Sequence, residues 1–204
     1  MTETPRRDVL AQALREIREL KARQSAAEAR RPIAVVGLGC RLPGADDPAA
    51  LWRLLCDGVD ATAEVPPGRW SAPEPPGIYS RRGGWLREVD GFDAAFFGIS
   101  PREARTLDPQ QRLFLEVIWE TLEHAAIAPD RLRGSRTGVY CGITQVDYAQ
   151  LLAAHADPSQ LDGHAGTGIA INFAAGRVAR TLDLRGPALA VDAACAASLV
   201  AVHL

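Results

Sequence analysis

The sequence contains no pair of cysteines spaced as a metal or redox motif. No C-x-x-C pair occurs, and its four cysteines are widely separated: Cys40, Cys56, Cys141 and Cys195. This spacing argues against a structural zinc site and against a dithiol redox site. It is typical instead of reduced thiols in a cytoplasmic protein.

Long hydrophobic runs are also lacking. Charged residues recur from Arg6 to Arg31, so the N-terminal segment contains no apolar core of a secretory signal. The longest apolar stretch is the last one in the chain, and Asp192 and His203 interrupt it. It is too short for a bilayer-spanning helix, and we expect a buried strand followed by a helix.

The chain has no excess of positive charge. Its formal net charge is −2 over 204 residues, which gives no indication of nucleic-acid binding. Apolar residues make up 47% and charged residues 24%, as is usual in a soluble globular protein. The length suits one domain, or one domain with an appendage.

The N-terminal segment predicts a helix over residues 8–29, which Pro32 should end. Four small or apolar residues follow the a-d-a-d spacing of a coiled coil: Leu10, Ala13, Ile17 and Leu20. Two interpretations stay open: a solvated helix lying on its own domain, or a short coiled coil that pairs two copies or binds another chain. Two to three heptads are marginal alone, so the coiled coil would need support from a dimeric main domain.

Short apolar runs predict strands near residues 33–37, 137–143 and 188–192. The first run is continuous, as in a strand that is covered on both faces. Helical patterns separate the runs, and residues 163–182, which are rich in glycine and alanine, predict one helix in the interior. Strands that alternate with helices indicate a layered α/β fold with a mainly parallel sheet.

Two aspartates that precede prolines predict helix starts. Asp47 and Asp108 would act as N-caps, with the proline in the first helical position. Gln111 stands at capping-box spacing from Asp108, and this second helix should run to about Ala126. Residues 60–91, which are rich in proline and glycine, are expected to be irregular.

A Gly-x-Gly sequence follows the first predicted strand, at Gly37 and Gly39. It resembles the start of a dinucleotide-binding motif, but Leu42 occupies the third glycine position and Pro43 follows it. Proline there disrupts the helix start whose N–H groups would hold a pyrophosphate. We expect a tight turn; a nicotinamide-dependent oxidoreductase is the minor alternative, which measurable cofactor binding would revive.

Cys195 stands between the last predicted strand and a helical pattern over residues 198–204. A cysteine at such a junction meets the first unpaired N–H groups of the helix, which stabilise a thiolate. Its small neighbours leave room for a substrate: Ala193, Ala194, Ala196 and Ala197. The alternative is that Cys195 is a small buried hydrophobe. The local pattern leaves both interpretations open.

Four segments occur in a recognisable order: PIAVVGLGCRLPG at 32–44, GFDAAFFGISPREA at 91–104, LDPQQR at 107–112 and VDAACAASL at 191–199. Together they resemble the ketosynthase, or β-ketoacyl synthase, domain of modular type I polyketide synthases. Residues 1–31 resemble the helical docking arm that precedes such domains. The resemblance implies that residues 32–204 form the N-terminal portion of a thiolase-like layered α/β fold and that an α-helix precedes it.

The resemblance also implies a function. Cys195 would be the acyl-accepting nucleophile, and an acyl carrier protein would deliver the chain as a phosphopantetheine thioester. A malonyl-type extender would then decarboxylate and condense with the acyl-enzyme. The resemblance implies a homodimer and no metal or cofactor bound by this region. The resemblance thereby favours the interpretation of Cys195 as a nucleophile over its interpretation as a small buried hydrophobe.

The chain departs from the family in two ways. Alanines replace the usual threonine at Ala193 and the usual serines at Ala196 and Ala197, which affects hydrogen bonding in the pocket and substrate preference. The family's two catalytic histidines and glycine-rich loop follow the nucleophile, whereas the chain stops nine residues after Cys195. We expect an N-terminal portion that does not condense substrates alone. The alternative is a non-catalytic remnant of a synthase that pairs through its N-terminal helix.

None of the four histidines matches a catalytic position of the family. His203 lies eight residues after Cys195, about 12 Å along a helix axis. A general base needs roughly 2.6–3.2 Å. His124 is expected to be a surface or capping residue at a helix end. One further cluster of polar residues contains His155, Asp157, Asp162 and His164. We expect these to be polar residues of a loop, and a metal site is the minor alternative.

Overall fold

The computed structural model describes residues 4–28, 32–69, 82–155 and 163–204. The chain divides into two units, Met1–Val36 and Gly37–Leu204. In the described part of the chain, no helix is long and apolar enough to cross a membrane.

The first unit contains helix α1 (Thr4–Glu28). The helix predicted over residues 8–29 is therefore confirmed, although it begins four residues earlier. The side chains of residues 11–23 are exposed, and Leu20 is 63% accessible to solvent. The predicted helix end before Pro32 falls at residues 29–31, which lie outside the described residues.

The strand predicted near residues 33–37 is wrong. Within the described ranges these residues pair with no strand, and Ile33 is 92% exposed. A strand requires a neighbour that completes its backbone hydrogen bonds. An apolar run indicates that a segment tends to be buried, but it does not show which strand would pair with it.

The second unit contains seven described α-helices beside its strands. They are α2 (Pro48–Cys56), α3 (Pro101–Thr106), α4 (Pro109–His124), α5 (Asp147–His155), α6 (Gly163–Ile169), α7 (Phe173–Thr181) and α8 (Ala197–His203). The two predicted N-caps are confirmed. Asp47 Oδ1 accepts from the Ala50 N–H at 2.7 Å, and Asp108 Oδ1 accepts from the Gln110 N–H at 2.8 Å.

A short antiparallel hairpin lies in the region predicted to be irregular. Strand β1 (Thr62–Glu64) pairs with β2 (Arg82–Gly84). The indole N–H of Trp85 donates to the carbonyl of Ala63 at 2.9 Å and ties the hairpin together. The prediction for residues 60–91 is wrong at these two strands, and its central part, residues 70–81, lies outside the described residues.

The predicted parallel strands near 137–143 and 188–192 are confirmed. Strand β3 (Val139–Gly142) pairs in parallel with β4 (Ala188–Val191), with Gly142 opposite Val191. Helix α7 packs against both strands and against α4. Ala174 and Ala175 of α7 are almost fully buried, because alanine lets the helix backbone approach the sheet closely.

The single helix predicted over residues 163–182 is wrong, because α6 and α7 are separate. The side-chain amide of Gln111 donates to the carbonyls of Gly168 and Ala170 at 2.8 and 3.2 Å. The Gly168 carbonyl also accepts the Asp108 N–H at 3.0 Å. Carbonyls held from outside in this way mark the point where the helix is interrupted. Gly168 is required there, since a Cβ would lie 2.6 Å from the Thr106 carbonyl oxygen.

Candidate active site

Cys195 lies in a one-turn 3-10 segment, Ala194–Ala196, between β4 and α8. Its side chain is exposed, and α8 begins two residues later at Ala197. The predicted position between a strand and a helix is confirmed. The interpretation of Cys195 as a buried hydrophobe is wrong for the described structure.

The turn that carries Cys195 has an unusual backbone. Ala194 has φ +47°, a left-handed conformation that residues other than glycine seldom adopt. Asp192 Oδ1 accepts the N–H of Ala194 at 3.0 Å and the hydroxyl of Thr144 at 2.9 Å. A hydrogen bond from the Ala196 N–H to the Ala193 carbonyl, at 3.0 Å, closes the turn. The cysteine therefore stands on a turn that several hydrogen bonds hold in shape.

Gly142, at the end of β3, lets the start of α8 come close to the sheet. A Cβ on Gly142 would lie 2.7 Å from the carbonyl carbon of Ala197 and 2.7 Å from the nitrogen of Ser198. Both atoms belong to the backbone, so neither can turn aside. The glycine thus fixes where the helix after Cys195 begins.

The other three cysteines have different surroundings. Cys141 is buried in β3, and desolvation raises the pKa of its thiol to about 11. Burial also raises the pKa of Cys40, and the nearby carboxylate of Asp47 adds to this effect. Cys56 is exposed like Cys195, but it is the last residue of helix α2. Of the two exposed thiols, only Cys195 lies between a strand and a helix.

Two of the histidines, His203 and His124, lie at the ends of helices. His203 is the last residue of α8, and a rise of ~1.5 Å per residue places it about 9 Å along the helix axis from Ala197, where α8 begins. His124 ends α4, and its Nδ1 accepts the Leu38 N–H at 3.2 Å, in agreement with the predicted role at a helix end.

The alternative of a metal site near His155 falls largely on residues that the structure does not describe. Asp157 and Asp162 lie outside the described residues. His164 is described, and its Nδ1 is 3.9 Å from Glu103 Oε2. Over residues 4–28, 32–69, 82–155 and 163–204, no group of three or more histidine, cysteine or acidic side chains is arranged to hold a metal.

Comparison with known protein families decides the assignment. The family model described as "Beta-ketoacyl synthase, N-terminal domain" matches residues 30–204. The chain belongs to the β-ketoacyl synthase family. This result confirms the resemblance that the four sequence motifs indicate.

The curated relatives are components of polyketide synthases. Over 212 aligned residues, which cover 98% of this chain, it is 47% identical to one protein of the phenolphthiocerol/phthiocerol polyketide synthase of Mycobacterium tuberculosis strain H37Rv. It is 51% identical over 182 residues, 85% of the chain, to a second protein of that synthase. The β-ketoacyl synthase chain spans 10% and 12% of the length of these two proteins.

Two solved structures that it resembles are ketosynthases. It superposes with a TM-score of 0.71 and 32% identity on the ketosynthase from module 6 of the bacillaene synthase of Bacillus subtilis 168. That match covers 83% of this chain and 28% of the other. An oxazolomycin ketosynthase domain of Streptomyces albus JA3453 gives a TM-score of 0.71 at 35% identity, covering 82% and 30% of the two chains. The predicted thiolase-like α/β fold, represented by its N-terminal part, is confirmed.

Sequence reasoning missed a buried polar network built on one of the family motifs. In the β-ketoacyl synthase chain, Leu107, Asp108 and Gln111 are at most 1% exposed. The capping-box role predicted for Gln111 is wrong, because the Asp108 N–H donates to the Gly168 carbonyl and Gln111 Oε1 accepts from Arg177. Gln111 points instead toward α6 and α7. The signal in the sequence was helical spacing, because Gln111 stands four residues before Leu115 and shares its buried face of α4.

Gln111 links the break between α6 and α7 to an ion pair. Its Oε1 accepts from Arg177 Nε at 3.0 Å, while its amide group donates to the carbonyls of the helix break. Arg177 Nη1 also pairs with Glu103 Oε1 at 2.6 Å, and both side chains are largely buried. Buried charges persist in proteins only when they are paired and hydrogen-bonded. This network therefore fixes α7 beneath the sheet.

Replacing Gln111 by methionine is expected to lower the free energy of unfolding by about 3 kcal/mol, because buried carbonyls and Arg177 lose their partner. The neighbouring Gln110→Met variant is the matched control. In the parent, the side-chain amide of Gln110 donates to the Gln145 carbonyl in a more exposed position. The expected loss of unfolding free energy in the control is therefore about 1 kcal/mol or less. Urea unfolding of the two variants makes the comparison, and equal losses would contradict the role of Gln111.

Proposed function

We propose that this chain provides the acyl-accepting cysteine of a polyketide synthase ketosynthase, and that Cys195 is the nucleophile. The observation that carries the proposal is the exposed thiol of Cys195 on a held turn between β4 and α8. Membership of the β-ketoacyl synthase family supports it. Cys141 is the contrasting case, since burial keeps its thiol protonated and out of reach.

The first step is acyl transfer from an acyl carrier protein. The Cys195 sulfur, as a thiolate, attacks the carbonyl carbon of a phosphopantetheine thioester, and a new carbon–sulfur bond forms. The bond from that carbon to the phosphopantetheine sulfur breaks, and the departing sulfur takes up a proton. The acyl group is then held on Cys195 as a thioester.

The second step is condensation with a malonyl-type extender. The extender loses its carboxylate as carbon dioxide, and the electron pair of the broken bond forms a carbanion equivalent. This carbon attacks the acyl carbonyl on Cys195, and the cysteine sulfur leaves as a thiolate. Thiolates are good leaving groups, which suits a cysteine nucleophile to both steps.

We propose that the groups which manage protons and charge in the condensation belong to ketosynthase sequence beyond this chain. His203 is placed at the far end of α8 from Cys195, so it does not serve as the base. This 204-residue chain is accordingly proposed to accept an acyl group slowly and to be inactive in condensation.

Residues 1–31 are proposed to act as a docking arm, and residues 32–204 as the ketosynthase portion. Helix α1 exposes Leu14, Ile17 and Leu20, and a second helix packed against them would remove this apolar surface from water. We propose a homodimeric, cytoplasmic protein in which α1 pairs with another helix. Deletion of residues 1–31 should weaken self-association or docking in analytical ultracentrifugation. An unchanged association state would contradict pairing through α1.

The experiment that tests the proposed function is transfer from a carrier protein. A phosphopantetheinylated carrier loaded with a short acyl chain is incubated with the full-length protein that carries this sequence, without extender. We expect the carrier to lose its acyl mass and the peptide containing Cys195 to gain it, in a form that hydroxylamine removes. Retention of the acyl group on the carrier would contradict the proposal and favour a non-catalytic interaction module.

A further inference from the structure

We propose that Thr144 and Asp192 are positioning residues for the Cys195 nucleophile, acting through the backbone turn that carries it. The inference rests on the proposed function, because it assumes that Cys195 is acylated. It extends that function to two side chains that join the ends of β3 and β4. Neither side chain is proposed to touch the substrate.

The first step of the argument is the location of the pair. Thr144 lies two residues beyond the end of β3, and Asp192 follows the last residue of β4 directly. The Ile143 N–H still donates to the Val191 carbonyl at 3.1 Å, so the strands remain in register up to this point. The Thr144 hydroxyl then donates to Asp192 Oδ1 at 2.9 Å. The hydrogen bond between side chains thus continues the sheet where its backbone pairing ends.

The second step is the conformation of Ala194. Its φ of +47° is unfavourable for a residue with a Cβ, so the surrounding contacts must hold it. The same Asp192 Oδ1 accepts the Ala194 N–H at 3.0 Å. This oxygen is therefore a shared acceptor that ties the left-handed residue to Thr144 of the neighbouring strand.

The third step is the consequence for the sulfur. Cys195 follows Ala194 directly, so a change in the backbone angles of Ala194 redirects the cysteine side chain. On the other side of Cys195, the close approach of Gly142 to Ala197 fixes the start of α8. The backbone before and after Cys195 is therefore held in position by contacts with the end of β3. Misplacement of a reacting group by about 1 Å can cost about 100-fold in rate, so the orientation of this turn matters for acyl transfer.

The test compares two reagents on the full-length protein. A thioester of a pantetheine-like thiol requires an oriented sulfur, whereas iodoacetamide is small and reacts with any accessible thiol. Thr144→Val keeps the shape of the side chain and removes only the hydroxyl group. We expect it to lower the rate of acylation at Cys195 about tenfold, and Asp192→Ala to lower it about 100-fold. Alkylation of Cys195 by iodoacetamide should change less than about threefold in Thr144→Val.

Two further variants separate positioning from general damage. Thr144→Ser retains the hydroxyl group and should restore the parent rate of acylation. Asp47→Ala removes a comparable carboxylate that accepts the Ala50 N–H at the start of α2, and it should leave acylation of Cys195 unchanged. Circular dichroism and thermal midpoints identify variants that have lost the fold, and Thr144→Val tests the inference if Asp192→Ala is one of them.

The outcomes are distinct. An absence of acylation at Cys195 in the parent would overturn the proposed function and this inference with it. Acylation of the parent, Thr144→Val and Asp192→Ala at one rate would overturn the inference alone. Equal losses in Thr144→Val and Thr144→Ser would also overturn it, because the hydroxyl group would not be the cause. An equal fall in acylation and alkylation in Thr144→Val would overturn it as well, since the sulfur would have lost reactivity and not orientation.

Discussion

Replacing Cys195 by alanine is expected to reduce acyl transfer from a carrier protein by about 100-fold or more. The reason is that the acyl group has no other exposed thiol in a comparable turn within the described ranges. Cys141 is buried with a pKa of about 11, so its thiolate is scarce near neutral pH. Intact-mass spectrometry of the full-length protein after incubation with acyl carrier protein measures the effect.

The matched control for this variant is Cys56→Ala. Cys56 is the other cysteine with an exposed side chain, and it ends helix α2. If exposure alone determined acylation, the two variants would lose label to a similar degree. We expect Cys56→Ala to retain the acyl mass of the parent, and a loss equal to that of Cys195→Ala would contradict a specific nucleophile.

Replacing Gly142 by alanine is expected to displace the start of α8 and to reduce acylation of Cys195 by about 100-fold. The added Cβ would lie 2.7 Å from backbone atoms of Ala197 and Ser198, so the helix itself must move. Overpacking of this kind also lowers the free energy of unfolding by about 1–3 kcal/mol. Stopped-flow or quenched-flow acylation and urea unfolding measure the two effects.

Gly176→Ala is the matched control for the glycine variant. Gly176 lies in α7, and apart from its chain neighbours and the adjacent backbone of that helix, a Cβ there would meet no atom within 4 Å. Alanine also has a higher helix propensity than glycine, so we expect a gain of up to about 1 kcal/mol and an unchanged rate of acylation. If both glycine variants acylate at the parent rate, the close contact between β3 and α8 is not needed for the reaction.

Features that depend on neighbouring residues in the sequence could be predicted. The helix starts at Asp47 and Asp108 follow from a capping carboxylate and a proline within a few residues, and both caps form. The position of Cys195 between β4 and α8 follows from an apolar run and a helical pattern on its two sides. Local chemistry was sufficient in each case.

The features that the sequence did not predict depend on distant residues. The run at 33–36 is apolar enough for a strand, but pairing needs a partner that the pattern does not name. The break between α6 and α7 depends on Gln111, more than fifty residues earlier in the chain. The hydrogen bond from Thr144 to Asp192 joins residues 48 apart, so the support of the nucleophile turn is visible only in the folded structure.

The central claim is that Cys195 is acylated because of where the fold places it and not merely because it is exposed. The most direct test is the rate of reaction of Cys195 and Cys56 in one sample of full-length protein, first with a pantetheine-like acyl thioester and then, separately, with iodoacetamide. The account predicts that iodoacetamide modifies both exposed thiols at rates within about tenfold of each other, while the thioester acylates Cys195 about 100-fold faster than Cys56. Acylation of the two cysteines at similar rates would contradict the account.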